Sequence, residues 1–304
     1  LIGNVDVNGN INRNTPVAAI PYPPPELVVA APIVTAPTCS GSGTMTNEGG
    51  GVLRLTPGNH PGRTISGNYT NIIFESGSYC FSGNLTIDGN FTVTANNVQF
   101  KMGNKSLSFK GNMTFNSTNS LYYFNSGSMI LDGNAQVNLP NCTVYSVSGS
   151  LHINGNNNPK LISDQPTVFY LGSGSIRFNG NSTFTSSNVV YYLNGGSMVW
   201  NGNTRLNMSA PTSGDYKGLL IYMPSTNQSE LRINGNSNAS VTGSLINVGG
   251  PIRIIGNSGT TTYNSRIIGF KIFISGNSNT TINFNGAENY DNGAGGTPFV
   301  ELAK

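Results

Sequence analysis

GNLTIDGN at Gly83–Asn90, GSMILDGN at Gly127–Asn134, GSLHINGN at Gly149–Asn156, GSIRFNGN at Gly174–Asn181 and GSMVWNGN at Gly196–Asn203 are copies of one phrase, G-x-x-x-x-[ND]-G-N. GPIRIIGN at Gly250–Asn257 repeats it with Ile255 at the sixth position, and looser copies end at Asn68, Asn112, Asn236 and Asn277. The closing glycines Gly67, Gly89, Gly111, Gly133 and Gly155 are each 22 residues apart. A fixed period of that size marks a solenoid, in which each repeat buries its apolar side only by stacking on its neighbours.

Within the period the strand signals are short, rich in Val, Ile, Phe, Tyr and Thr, and punctuated by Gly-Asn; no helix is expected. A coil of 22 residues divides into three short faces with their turns. The expected fold is all-β, a right-handed parallel β-helix, handed by the usual crossover preference. Three segments are expected: an orphan strand over residues 1–14, a proline-rich linker over 15–50 with PYPPPE at its heart, and the β-helix over 51–304. Inserts fall around Asn157–Gln165 and Ala210–Gln228 and are expected to bulge from the stack.

The orphan strand carries the phrase once more, as Gly3–Asn10, with Ile2, Val5, Val7 and Ile11 as its apolar positions. One edge of a coil on a stiff leash has three possible destinations. It caps this solenoid, belongs to a truncated upstream one, or adds as a strand to a neighbouring subunit.

Charged residues make up only 9% of the chain, and the net charge of +3 is dispersed. No Lys/Arg run tracks a phosphate backbone, which argues against nucleic acid. No apolar stretch reaches the roughly 20 residues of a membrane span. The uncharged polar composition suits an extracellular or cell-surface protein. Of three cysteines, Cys80 and Cys142 lie about three coils apart, roughly 14 Å at the inter-strand spacing. That exceeds disulfide reach, leaving Cys39–Cys80 as the favoured pair beside the alternative of three free thiols.

The closing Asn residues fall in one column: Asn68, Asn90, Asn112, Asn134, Asn156, Asn181, Asn203, Asn236, Asn257 and Asn277. The expectation is a structural ladder of inward amides bonded coil to coil at a sharp corner. On that reading most N-x-[ST] sequons are by-products of the repeat, with Asn141 and Asn227 as the candidates for modification. A step of 22 also aligns Tyr79, Lys101, Tyr123 and Tyr145, and the column continues as Tyr170, Tyr192 and Tyr222. It alternates against two apolar columns, one starting at Ser78 and one at Cys80, and is therefore expected to face outward. Such a ladder is either a contact surface, for lateral packing, sugar stacking or a covering segment, or a device that rigidifies the sheet.

Catalysis has little to stand on. Asp88 and Asp132 share a column but lie two coils apart with Lys110 between them, a salt-bridge rung rather than a glycosidase pair. His60 and His152 are four coils apart, and no acid cluster of the kind pectin-lyase-like enzymes use to hold calcium can be assembled. The chain is expected to be no enzyme and to need no cofactor or metal.

The stretch from Arg54 to Phe115, beginning RLTPGNHPGRTISGNYTNIIFESGSYCFSGN, resembles the C-terminal region of TadG-like proteins associated with tight-adherence (Flp) pilus systems. GDYKGLLIY at Gly214–Tyr222, the terminal TPFVELAK and the preceding proline-rich linker resemble that family too. The resemblance implies an envelope-attached or secreted bacterial β-helix with no catalytic residues to carry over. The chain lacks the N-terminal membrane helix of that family, which favours a processed or separately exported form. The expected function is a structural subunit of a pilus-associated or filament-forming assembly, joined by coil stacking or by donation of the N-terminal strand. The alternative is a glycan-binding adhesin module.

Overall fold

The computed structural model describes residues 2–8 and 28–291, apart from 155–157, 182, 202–203, 237–238 and 277–278. It is a parallel β-solenoid of about ten coils of roughly 22 residues, each with three strand faces. The first face begins the coils: Val52–Leu55 in coil 1, Asn71–Phe74 in coil 2, Thr92–Thr94 in coil 3, and so on to Thr260–Asn264 in coil 10. The second face runs through Gly77–Phe81, Leu121–Phe124 and Leu219–Met223, and the third through Leu85–Gly89, Leu151–Asn154 and Leu231–Asn236. Among the described residues the only helical element is the 3-10 turn Gly286–Glu288.

Alternation places one side of every face inside. Leu85, Ile87, Leu107, Phe109, Leu151 and Ile153 are all 0–1% exposed along the third face, whereas their sequence neighbours are mostly half-buried. The second face stacks aromatic rings inside the tube. Tyr79 lies 5.4 Å from Phe100 at an interplanar angle of 19°, and Phe100 lies 5.2 Å from Tyr122 at 9°. Such pairs add about 0.5–1.5 kcal/mol each beyond their burial.

The phrase itself has a steric explanation at its opening glycine. A Cβ on Gly149 would sit 1.6 Å from the carbonyl oxygen of Gly127, and one on Gly174 would sit 1.7 Å from that of Gly149. Successive coils touch backbone to backbone at this corner, and only glycine permits it.

Two inserts differ from the sequence expectation. Lys160–Ile162 is not a loop: it pairs with Gln136–Asn138 as a first-face strand, and Lys160–Leu171 runs on into the second face with a register shift after Ile162. In the other insert Leu219–Met223 returns to the sheet.

Both ends of the stack carry added segments. At the start, Met45–Gly49 pairs antiparallel with Val52–Leu55, and Ser42 bridges Asn59. At the finish, Asn279–Asn283 supplies a first-face rung beneath Thr260–Asn264. The second and third faces of that last rung come from the opposite terminus. Ile2–Asn8 pairs in parallel with Ile267–Gly276, placing Ile2 beside Ile268, Val5 beside Ile272 and Val7 beside Ile274. Of the three possible destinations, this chain's N-terminal strand takes the first and completes its own solenoid. Ile11 lies outside the described residues.

Candidate functional site

The outward column of the second face reads Cys80, Lys101, Tyr123, Tyr145, Tyr170, Tyr192 and Tyr222, and continues as Ile246 and Ile268. Tyr79 does not belong to it. Phe100 pairs with Tyr79 rather than with Ser78, so Tyr79 is fully buried and its hydroxyl donates to the carbonyls of Leu55 and Glu75 at 2.9 and 2.7 Å. The cause is a second corner one residue shorter in coil 2, where three residues separate Phe81 from Leu85 but four separate Met102 from Leu107. A one-residue slip exchanges the two sides of a strand. Cys80, read as inward, faces outward for the same reason.

That exchange is what makes the disulfide possible. Cys39 and Cys80 are bonded on the outside of coil 2 with Cα atoms 6.0 Å apart. Cys142 is free, buried at 2%, and held by the carbonyls of Ser117 and Pro140; burial pushes its thiol up to about 11.

From Cys39 the chain runs backwards along the stack as a strap over the tyrosine column. The Val29 carbonyl accepts from the Tyr192 hydroxyl at 3.2 Å, and its amide donates to the Tyr222 hydroxyl oxygen at 3.3 Å. Tyr216 of the second insert donates to the Ala30 carbonyl at 2.9 Å. Cys39 sits at coil 2 and Val29 between coils 7 and 8, about 24–29 Å along the stack, and ten extended residues reach about 33 Å. The segment between is therefore nearly straight, with Ile33 and Thr35 exposed and Pro32, Val34 and Ala36 half-buried.

Beneath its far end lies a second apolar cluster outside the tube, formed by Val29, Val190, Tyr192, Leu219, Tyr222, Ile246 and Ile268. Tyr192 and Tyr222 are 5% and 2% exposed there, and burial raises both phenol pKa values. Tyr123, Tyr145 and Tyr170 stack face to face at 5.6 and 4.7 Å, within about 10° of parallel, so neighbouring rings occupy their faces. At Tyr192 and Tyr222 the column carries a covering segment, and at Tyr123, Tyr145 and Tyr170 the rings stack on one another.

The closing-Asn column is on the surface, not inside. Asn90, Asn112, Asn134 and Asn181 are exposed, although Asn134 does donate to the Asn112 side-chain oxygen at 2.8 Å. The adjacent glycines Gly67, Gly111, Gly133 and Gly180 take the left-handed conformation, and the Asn that follows each is exposed. Asn156, Asn203 and Asn277 lie outside the described residues, and only the backbone of Asn236 and Asn257 is described. The inward orientation that argued against glycosylation therefore does not hold. Asn227, expected to be accessible, is 2% exposed and donates to the carbonyls of Leu193 and Gly196. A different column holds the left-handed Asn residues: Asn97, Asn119, Asn141 and Asn188, at φ 54–57°. Asn141 donates to Asn119 at 2.7 Å. The 22-residue spacing of the first three was visible in the sequence.

Among the described residues no three His, Cys, Asp or Glu side chains gather as a metal site, and no helix is long and apolar enough to cross a membrane. No family model, curated protein or solved structure matches the chain.

Proposed function

We propose that this chain is a non-enzymatic structural subunit of an extracellular or cell-surface assembly, related to the TadG-like pilus-associated proteins it resembles. One observation carries the reading. The end rung of the solenoid is a separate strand, Ile2–Asn8, added in register from the opposite terminus. The same hydrogen bonds form whether that strand closes its own solenoid or a neighbour's, so exchange between copies costs few contacts. The Cys39–Cys80 disulfide and the scarcity of charge support an oxidising, extracytoplasmic setting.

The test is deletion of residues 1–14, followed by light scattering and negative-stain electron microscopy. The intact chain is expected to form multimers or filaments and the deleted chain to remain monomeric. Unchanged polymers after the deletion, or an intact chain that is monomeric at every concentration, would overturn the proposal.

A further inference from the structure

The third face of the solenoid changes character halfway along the stack. In coils 2 to 4 its outward positions include Asp88, Lys110 and Asp132, with Lys110 in register beside Asp88. From coil 5 onward one outward column reads His152, Arg177, Val199, Arg232, Arg253 and Phe273. His152 pairs with Arg177, Arg177 with Val199, and Arg232 with Arg253. Beside these, two residues along each strand, stand Asn154, Asn179 and Asn234. Two rungs, Arg177 with Asn179 and Arg232 with Asn234, thus present a cation next to an amide. Asn179 donates to Asn154 at 2.8 Å, and Arg232 Nε donates to Asn234 Oδ1 at 3.1 Å, which fixes the array.

Like charges directly across neighbouring strands destabilise a sheet. Here Arg232 lies directly beside Arg253, whereas at His152 beside Arg177 burial, and then the Arg177 charge, lowers the imidazole pKa and favours the neutral ring. Glu230 offsets Arg253 at 2.9 Å, but among the described residues no acidic side chain pairs with Arg177 or Arg232, both of which are exposed. Two exposed guanidiniums two coils apart on one face, Arg177 and Arg232, with Arg253 next in the column, make a local complement of a linear polyanion.

We propose that this stripe binds an acidic polysaccharide lying along the solenoid axis. Guanidinium groups would pair with its carboxylates as bidentate forks and the amides would bond its hydroxyls. The repeat fits, because an extended glycan advances about one sugar per coil rise of about 4.8 Å, so Arg177 and Arg232, two coils apart, address alternate sugars. A single-stranded nucleic acid fits less well. It needs open aromatic faces for its bases, and the aromatic ring of this column, Phe273, is already covered by Arg253 at 4.4 Å and Lys271 at 4.5 Å.

The site is independent of the strap and of the end rung, so its test does not depend on assembly. Full-length protein is titrated with polygalacturonate, with neutral dextran and with a single-stranded oligonucleotide, and migration is followed by affinity electrophoresis. Polygalacturonate is expected to retard the protein at low salt and to lose its effect as salt rises, while dextran does nothing. The double variant Arg177→Ala, Arg232→Ala should bind roughly tenfold more weakly, with Lys217→Ala on the exposed insert unchanged. Circular dichroism checks that the double variant keeps its sheet, and Arg177→Lys, Arg232→Lys, which retains charge, should recover part of the affinity. Absence of retardation by polygalacturonate, equal loss in the Lys217 variant, or tighter binding of the oligonucleotide would each overturn the proposal.

Discussion

The two ends of the solenoid face the same problem, an open sheet edge, and solve it differently. The N-terminal end is closed by segments adjacent in sequence. The hairpin strand Met45–Gly49 lies on Val52–Leu55, and a disulfide spanning 41 residues fastens the chain just before it to coil 2. The C-terminal end receives its last rung partly from Asn279–Asn283 and partly from a strand of the far terminus, held without any covalent link. Closing a contact between Ile2–Asn8 and Ile267–Gly276 brings nearly the whole chain into a loop, the slowest kind of contact to form. One end is therefore fixed early and locally, and the other is the last to close and the first to open.

The largest effect that can break this contrast is loss of the disulfide. For a loop of 41 residues the chain-entropy estimate is about 4 kcal/mol. Cys39→Ser with Cys80→Ser should lower stability by up to that amount and should strip hydrogen-exchange protection from the strap and coils 1 and 2. Protection of coils 8 to 10 should survive. If those distant coils lose protection first, the N-terminal end is not an independent closure.

Deleting residues 1–14 is the converse experiment, with a somewhat smaller effect. It uncovers one side of Ile268, Ile272 and Ile274, each now 0–4% exposed, at roughly 1 kcal/mol apiece, about half the value of complete burial. Faster exchange should appear across Thr260–Gly276, with the disulfide end unchanged. Uniform destabilisation of every coil would instead mean that the stack melts as one unit and that its ends are not separable.

The architecture was legible because the repeat constrains every coil by the same steric demand, the backbone contact at the opening glycines such as Gly149 and Gly174. What the repeat could not reveal was local departure from its period. A corner one residue short in coil 2 moved Tyr79 into the core and Cys80 out of it, because strand alternation has a period of two. The Asn column failed for another reason: its place in the phrase was right, but its described side chains are exposed, several of them after a left-handed glycine such as Gly111 or Gly133. The strap's path follows from contacts between Val29 and Tyr192 or Tyr222. These lie more than 160 residues apart, beyond any spacing rule, so only the possibility of a cover could be read from the exposed ladder. The cation stripe was missed because its members occur in separate coils, and the step between Arg177 and Arg232 crosses the longer insert.

The smallest expected effect concerns pH and again separates the two ends. His60 is 2% exposed, stacked 5.5 Å from both Tyr79 and Phe81, with Nε2 within 2.8 Å of the Thr56 carbonyl. That contact makes Nε2 the protonated nitrogen of a neutral ring. A Cβ on Gly43 would fall 1.9 Å from Nε2, so the segment leading into the hairpin rests directly on this imidazole. Burial lowers the His60 pKa, the Thr56 carbonyl partly opposes this, and Arg63 adds to the lowering. A histidine whose folded pKa lies below its unfolded value of about 6.5 costs nothing above that pH, where both states are neutral. As pH falls through about 6.5 the unfolded chain takes up the proton first, and stability declines until the folded pKa is passed. The urea midpoint should therefore drop between pH 7.5 and pH 5, with exchange rising first around coils 1 and 2. His60→Phe, which keeps an aromatic ring in the stack, should flatten most of that dependence. The half-buried His152, the chain's other histidine, leaves a smaller residue of it. A variant that follows the same pH curve as the parent chain would remove His60 from the account and leave the disulfide as the main distinction between the ends.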